Sequence, residues 1–199
     1  EPYSTGEDTE FLWWRSRMLG GRTNHWARNS FRMGEYDFKP QSRDGLGFDW
    51  PISYADLAAW YDRVEKLVGV YGVNSGLANH PDSGEGVLQP PPKARVPELF
   101  AAAAAADIGI PCVPARRAVL TRDPGDGRLA CFWATDCGLG CNIGAAFQTT
   151  TSLLPWSRTT GNLTITTDAM AHEITNREDG QANGARYIHK TTRQHKVDG

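Results

Sequence analysis

The run Leu19-Gly20-Gly21-Arg22-Thr23-Asn24-His25-Trp26, preceded by Arg17, constrains this chain more than any other stretch. Paired glycines let the backbone approach a ligand closely and enter conformations closed to other residues. Arg17, Thr23 and Asn24 add donors suited to phosphate or ring oxygens, so the run reads as a loop shaped to face a flat, anionic ligand. The competing reading is an ordinary Gly-Gly turn. Taken by itself, a Gly pair followed by polar residues favours the turn.

The chain has 199 residues and a net charge of -2, a length sufficient for one domain and a balance that points away from nucleic acid. No apolar run approaches the roughly 20 residues of a membrane helix, and no signal-peptide pattern opens the chain. Residues 1–10 are acidic and weakly patterned, and Phe11-Leu12-Trp13-Trp14 is an apolar segment leading into the Gly-Gly loop.

Ser53-Tyr54-Ala55-Asp56 resembles a capping box with Asp in place of Glu. After it, Leu57, Trp60, Tyr61, Val64, Leu67 and Val68 recur at helical spacing until Gly69, which predicts a helix whose aromatic stripe is core. Residues 72–96, rich in Gly, Pro and Asn, predict a long loop, as a substrate lid or a plain linker. Pro97, the alanines 101–106 and Gly109 predict a second short helix. Residues 162–167 alternate as a strand, Asp179-Gly180 supplies a turn, and residues 184–191 return as a second strand, in a β-meander or a crossover. Asp49-Trp50-Pro51 reads as a structural corner.

Of four cysteines, Cys131, Cys137 and Cys141 form a C-x5-C-x3-C pattern and Cys112 stands apart. Three close thiols suggest a cluster, and Gly138 and Gly140 relieve the crowding of a chain wrapped round one. Zinc with Cys112 as a fourth ligand, a Cys137–Cys141 disulfide and inert thiols are the alternatives. Paired C-x2-C knuckles are missing, so zinc ranks below iron–sulfur. His80, His172, His189 and His195 have no carboxylate or second His at useful spacing and receive no catalytic role.

Three stretches carry a family resemblance. They are the first run as Gly-Gly-x-x-x-His-Trp, Gly45-Leu46-Gly47-Phe48-Asp49-Trp50-Pro51-Ile52-Ser53-Tyr54 with the helix after it, and Cys137-Gly138-Leu139-Gly140-Cys141-Asn142-Ile143-Gly144-Ala145. In this order they resemble the FAD-dependent glucose-methanol-choline (GMC) oxidoreductases, in the sugar-oxidising branch with pyranose oxidase, fructose dehydrogenase and the glucoside 3-dehydrogenases. Arg22 stands where the wider family has a small hydroxyl residue, which favours the pyranose-oxidase-like branch.

The resemblance implies a mixed α/β (α+β) fold class, part of a GMC-type FAD-binding fold with portions of the substrate domain. It implies an internal segment without the N-terminal Rossmann strand-turn-helix and the C-terminal catalytic segment, so no residue here is nominated as catalytic. Residues 1–50 would be the flavin-facing loop region, 51–130 a helical and loop insertion beside the substrate domain, 131–160 the Cys-rich loop and helix, and 161–199 strands of the FAD-binding domain. Phe11 to Trp14 would pack on the nucleotide domain.

By the same resemblance Thr23, Asn24, His25 and Trp26 would wall the flavin, and Arg17, Gly20 and Gly21 would shape its phosphate side. Ala171 would lie beside the adenine. His25 would either bond covalently to the flavin or only line it, and lining is the preferred reading. Relatives in this branch carry a three-iron four-sulfur cluster in a comparable loop, which makes Cys131, Cys137 and Cys141 its expected ligands. Those relatives often have a further Cys near the position of Ala134. The implied parent oxidises a sugar or glycoside and passes electrons onward through the cluster, with a small export subunit and a cytochrome as possible partners. An oxygen-using oxidase and a non-catalytic Cys-loop module are the rivals.

Overall fold

The computed structural model describes residues 4–11, 16–133, 137–193 and 195–198. The apolar Leu12-Trp13-Trp14 lies outside the described residues, and so does Ala134. The chain divides into two compact units, Glu1–Trp156 and Ser157–Gly199.

The first unit is organised by the extended segment 116–120. Its backbone bonds to four distant stretches, with Ser30 N–H donating to Arg116 O (3.0 Å), Tyr71 N–H to Arg117 O (3.0 Å), Phe147 N–H to Ala118 O (3.0 Å) and Cys131 N–H to Leu120 O (2.9 Å). Each contact is an isolated bridge or a single bond, so loops rather than a sheet enclose the core. Val68, Val70, Ala118 and Phe147 pack together there, and Tyr71, Val119 and Ala146 form an adjoining cluster.

Among the described residues the α-helices are α1 (Pro40–Asp44), α2 (Tyr54–Val68), α3 (Val96–Asp107) and α4 (Leu153–Thr159). The expected start of α2 is present, since Asp56 accepts from both the backbone N–H and the hydroxyl of Ser53 at 2.8 Å. Gly69 ends the helix at φ 81°, and a Cβ there would lie 2.2 Å from a Leu120 methyl. Pro97 sits in the first turn of α3 and Gly109 follows its end at φ 72°, also as expected. Residues 72–95 contain no helix and no strand beyond an isolated bridge. Asp49 accepts from Ser42 N–H (3.0 Å) and Trp50 N–H donates to Phe38 O (2.8 Å), which makes Asp49-Trp50-Pro51 the corner its composition suggested.

Two expectations are corrected. The stripe on α2 is core only at Val68: Trp60 is 58 % exposed, Val64 and Leu67 are exposed too, Leu57 and Tyr61 are half-buried, and the other buried helix residue is Glu65. The face turned inward is chosen by charge. Glu65 accepts from Arg32 at 3.0 and 2.6 Å, pairs with Arg116 at 3.5 Å and accepts from the Ser83 hydroxyl at 2.7 Å. Asp62 also pairs with Arg32. Two buried guanidiniums require an anion at their depth, and that demand outweighs burial of a partly aromatic stripe.

The second correction concerns the strand expected at residues 162–167. Leu163 and Ile165 alternate with exposed neighbours, yet the segment has no ladder partner among the described residues. The sheet begins further on, as an antiparallel meander β1 (Ala169–Asn176), β2 (Ala182–His189) and β3 (His195–Asp198) in the order β1-β2-β3. Tyr187 pairs with Ala171 on one side and Lys196 on the other. The expected turn joins β1 to β2, where Asp179 accepts from Gln181 N–H (3.0 Å) and Gly180 takes φ 81°.

Candidate cysteine and glycine-loop site

Residues 20 to 26 close on themselves first. Gly21–Asn24 is a short 3-10 helix entered through Gly20 at φ 86°. A Cβ on Gly20 would meet Asn24 and Thr150 at 2.8 Å, whereas one on Gly21 would meet nothing within 4 Å. One glycine is therefore demanded by packing. The other leaves an open backbone face.

The polar side chains of this loop point largely inward. Thr23 donates to Gly20 O (2.6 Å) and accepts from Thr149 N–H (3.1 Å). Asn24 donates to Leu19 O (2.8 Å) and accepts from the Thr150 hydroxyl (3.1 Å). Trp26 donates its indole N–H to Phe147 O (3.2 Å) and meets the Phe147 ring edge-on at 6.3 Å. Thr23, Asn24 and Trp26 thus clamp the loop to residues 147–150, while Arg17 and His25 are exposed. Ala171 lies exposed on β1 of the second unit.

The three expected cysteines come together. Cys131, Cys137 and Cys141 line one cavity of about 200 Å³, with Phe132, Gly140, Asn142, Ile143 and Ala146. Cys131 and Cys141 also pack against Tyr71, Val119 and Ala146, so their positions rest on the core. Two backbone N–H groups aim at sulfur: Trp133 at Cys131 Sγ (3.2 Å) and Ala146 at Cys141 Sγ (3.4 Å). Trp133 adopts φ 66°, unusual for a bulky residue, in the same short stretch. Gly140, at φ 120°, turns the chain between Cys137 and Cys141.

Cys112 is exposed and is not among the cavity residues, which removes it as a fourth ligand, and no disulfide joins any of the four cysteines. Among the described residues no three of His, Cys, Asp and Glu converge as they would on a single metal ion. One zinc, with Zn–S bonds of about 2.3 Å, draws its sulfurs to within about 4 Å of one another. A cluster gives each thiolate its own iron and spreads them. Cys131, Cys137 and Cys141 share one cavity without converging as on one zinc, and two of them carry a backbone N–H on sulfur.

Sequence reasoning missed the residues that join the two loops. Arg28 is 2 % exposed and donates to Trp26 O (2.6 Å), Asn24 O (3.3 Å) and Cys137 O (3.1 Å). Burial holds its pKa below the usual arginine value, and the nearby Cys137 and Cys141 offset that only in part. Gln148, with its carbonyl oxygen turned toward Arg28, accepts from it at 3.2 Å and from Cys141 N–H at 3.3 Å. Arg28 was legible only as an arginine two residues past Trp26, and Gln148 had no local signal at all.

No family model matches the chain. It is 31 % identical over 197 residues to 2-methyl-1,2-propanediol dehydrogenase of Mycolicibacterium austroafricanum, covering 98 % of this chain and 34 % of that protein. It is 30 % identical over 200 residues to 6'''-hydroxyparomomycin C oxidase of Streptomyces lividus, covering 96 % and 36 %. To the fructose dehydrogenase large subunit of Gluconobacter japonicus it is 33 % identical over 134 residues, covering 65 % and 24 %. The chain therefore spans about a third of the length of the first two relatives and about a quarter of the third. The relatives are dehydrogenases and oxidases, consistent with the GMC reading of the motifs. Among the described residues no helix is long and apolar enough to cross a membrane.

Proposed function

We propose that this chain is part of an FAD-dependent dehydrogenase of the GMC type, which oxidises a CH–OH group of a sugar or glycoside and releases electrons through an iron–sulfur cluster. The observation that carries this reading is the gathering of Cys131, Cys137 and Cys141 round one cavity, joined by Arg28 to the Gly-Gly loop. The similarity to named dehydrogenases and oxidases supports the reaction class.

When bound, a flavin supplies the hydride acceptor and a cluster an exit for single electrons. The residues here serve to bind and orient. Gly21 leaves backbone open to a flat ligand, and Thr23, Asn24 and Trp26 hold that backbone still through residues 147–150. Arg17 and His25 are exposed side chains of the loop, of the right chemistry for a phosphate or a ring edge. The three thiols would hold the cluster, with Trp133 and Ala146 N–H groups on two of the sulfurs. Ala171 would serve the adenine side, a cytochrome would receive the electrons, and a small export subunit would accompany the enzyme.

The complete protein carrying these residues, purified without oxygen, tests the reading through its visible spectrum and its iron and acid-labile sulfide content. Flavin bands with broad iron–sulfur absorbance, the latter lost in Cys137→Ser and Cys141→Ser, are expected. Because oxidases are among the matched relatives, flavin without iron would favour a cluster-free oxidase instead. Neither chromophore would overturn both.

A further inference from the structure

A guanidinium keeps its proton in any protein environment, so Arg28, 2 % exposed, places a full positive charge inside the first unit. Its partners among the described residues are neutral: the carbonyls of Asn24, Trp26 and Cys137, and the side-chain oxygen of Gln148. Its Nε has no partner there, and no described carboxylate pairs with it. An uncompensated buried charge is among the most expensive arrangements a fold can contain. The titratable groups that face Arg28 are Cys137 and Cys141, with Arg117 adding a like charge.

We propose that Arg28 is the built-in counter-charge of the cysteine site, a positioning residue that offsets the negative charge Cys137 and Cys141 carry as ligands and ties their loop to residues 24–26. The proposal rests on the reading of these cysteines as cluster ligands. Thiolates, not thiols, bind iron. Three of them confer net negative charge on the site, and a nearby fixed cation both offsets it and favours the more negative, reduced state of whatever they hold. The same guanidinium fixes the Cys137 carbonyl and two carbonyls of the glycine loop, so the two loops share one anchor.

The test uses the complete protein with Arg28→Gln and Arg28→Lys, measuring iron, acid-labile sulfide, flavin and the cluster midpoint potential by spectroscopically monitored redox titration. In Arg28→Gln the potential is expected to become more negative, or iron to be lost while flavin is kept. Arg28→Lys, which keeps the charge without the fork, is expected to retain iron at a near wild-type potential. Wild-type iron and potential in Arg28→Gln would overturn the proposal, as would iron lost equally from both variants. If Arg28→Gln does not fold, Arg28→Lys decides alone: wild-type potential supports the counter-charge, and a more negative one overturns it. Wild-type protein without iron would overturn the cluster reading itself and the proposal with it, an outcome distinct from iron-loaded protein indifferent to Arg28.

Discussion

Arg28 and Arg32 are near neighbours in sequence and are buried to the same degree, 2 % and 3 % exposed, but their surroundings have opposite chemistry. Arg32 is saturated by acids, with Glu65 on two of its nitrogens, Asp62 on one of them and the Tyr54 hydroxyl at 2.9 Å. Burial works against its charge, and these bonds outweigh burial and raise its pKa. Among the described residues Arg28 finds carbonyls, an amide and thiols. Burial of a charge thus says little about function by itself. A network that balances internally is scaffolding, whereas a buried charge held by neutral groups is costly and is where the proposed role of Arg28 can be tested.

The largest effect is expected on the balanced side. Glu65→Ala removes the buried acid shared by Arg32 and Arg116, leaving Arg32 with Asp62 alone, and should cost about 3–5 kcal/mol of stability by chemical denaturation, or prevent folding. A loss under about 1 kcal/mol would show that the network is not what orients α2.

Next come the glycines, which separate packing from ligand access. Gly69→Ala must push against Leu120 from a left-handed backbone and should cost about 2–4 kcal/mol. Gly21→Ala meets open space and should cost only about 1 kcal/mol, chiefly through its φ of 51°. If the open face receives flavin, flavin retention should nevertheless drop in Gly21→Ala. Equal stability losses, or full flavin retention, would erase the distinction between the two positions.

The smallest effect is acid sensitivity. Burial would raise the Asp62 pKa, but Gly84 N–H and Arg32 outweigh it and hold the carboxyl below the usual range. Arg128 does the same for Asp126. A lowered folded pKa means stability that is fully present above the ordinary carboxylate value of about 4 and fades as pH falls through the lower folded value. The Asp62 side chain is 34 % exposed, so screening keeps its share modest. Denaturation midpoints should therefore be flat from neutral pH to about 5 and decline below about 4. Asp62→Asn should flatten that decline, and an unaltered acid limb would remove Asp62 from the account.

How much of this was readable beforehand follows from the range of each signal. The α2 cap at Ser53 and Asp56, Pro97 opening α3, the 179–180 turn and the irregular 72–95 stretch all depend on residues a few positions apart. The alternation at 162–167 misled because a strand also needs a neighbour, and β1, with the apolar cluster Ala169-Met170-Ala171, does not alternate cleanly. The three thiols were singled out by spacing, while the N–H groups on sulfur came from a fold of the backbone that no spacing displays.

The sequence by itself determined where α2 and α3 begin and end, which residues could supply thiols, and that a glycine loop lies near the start of the chain, because caps, turns and left-handed glycines are decided locally. Only the tertiary structure decided that α2 turns Glu65 rather than Trp60 inward, that Thr23 meets Thr149 across 126 positions, and that Arg28 reaches Cys137 across 109. Those outcomes depend on which distant segments the 116–120 spine brings together, and the free energy of a buried charge depends on everything that surrounds it.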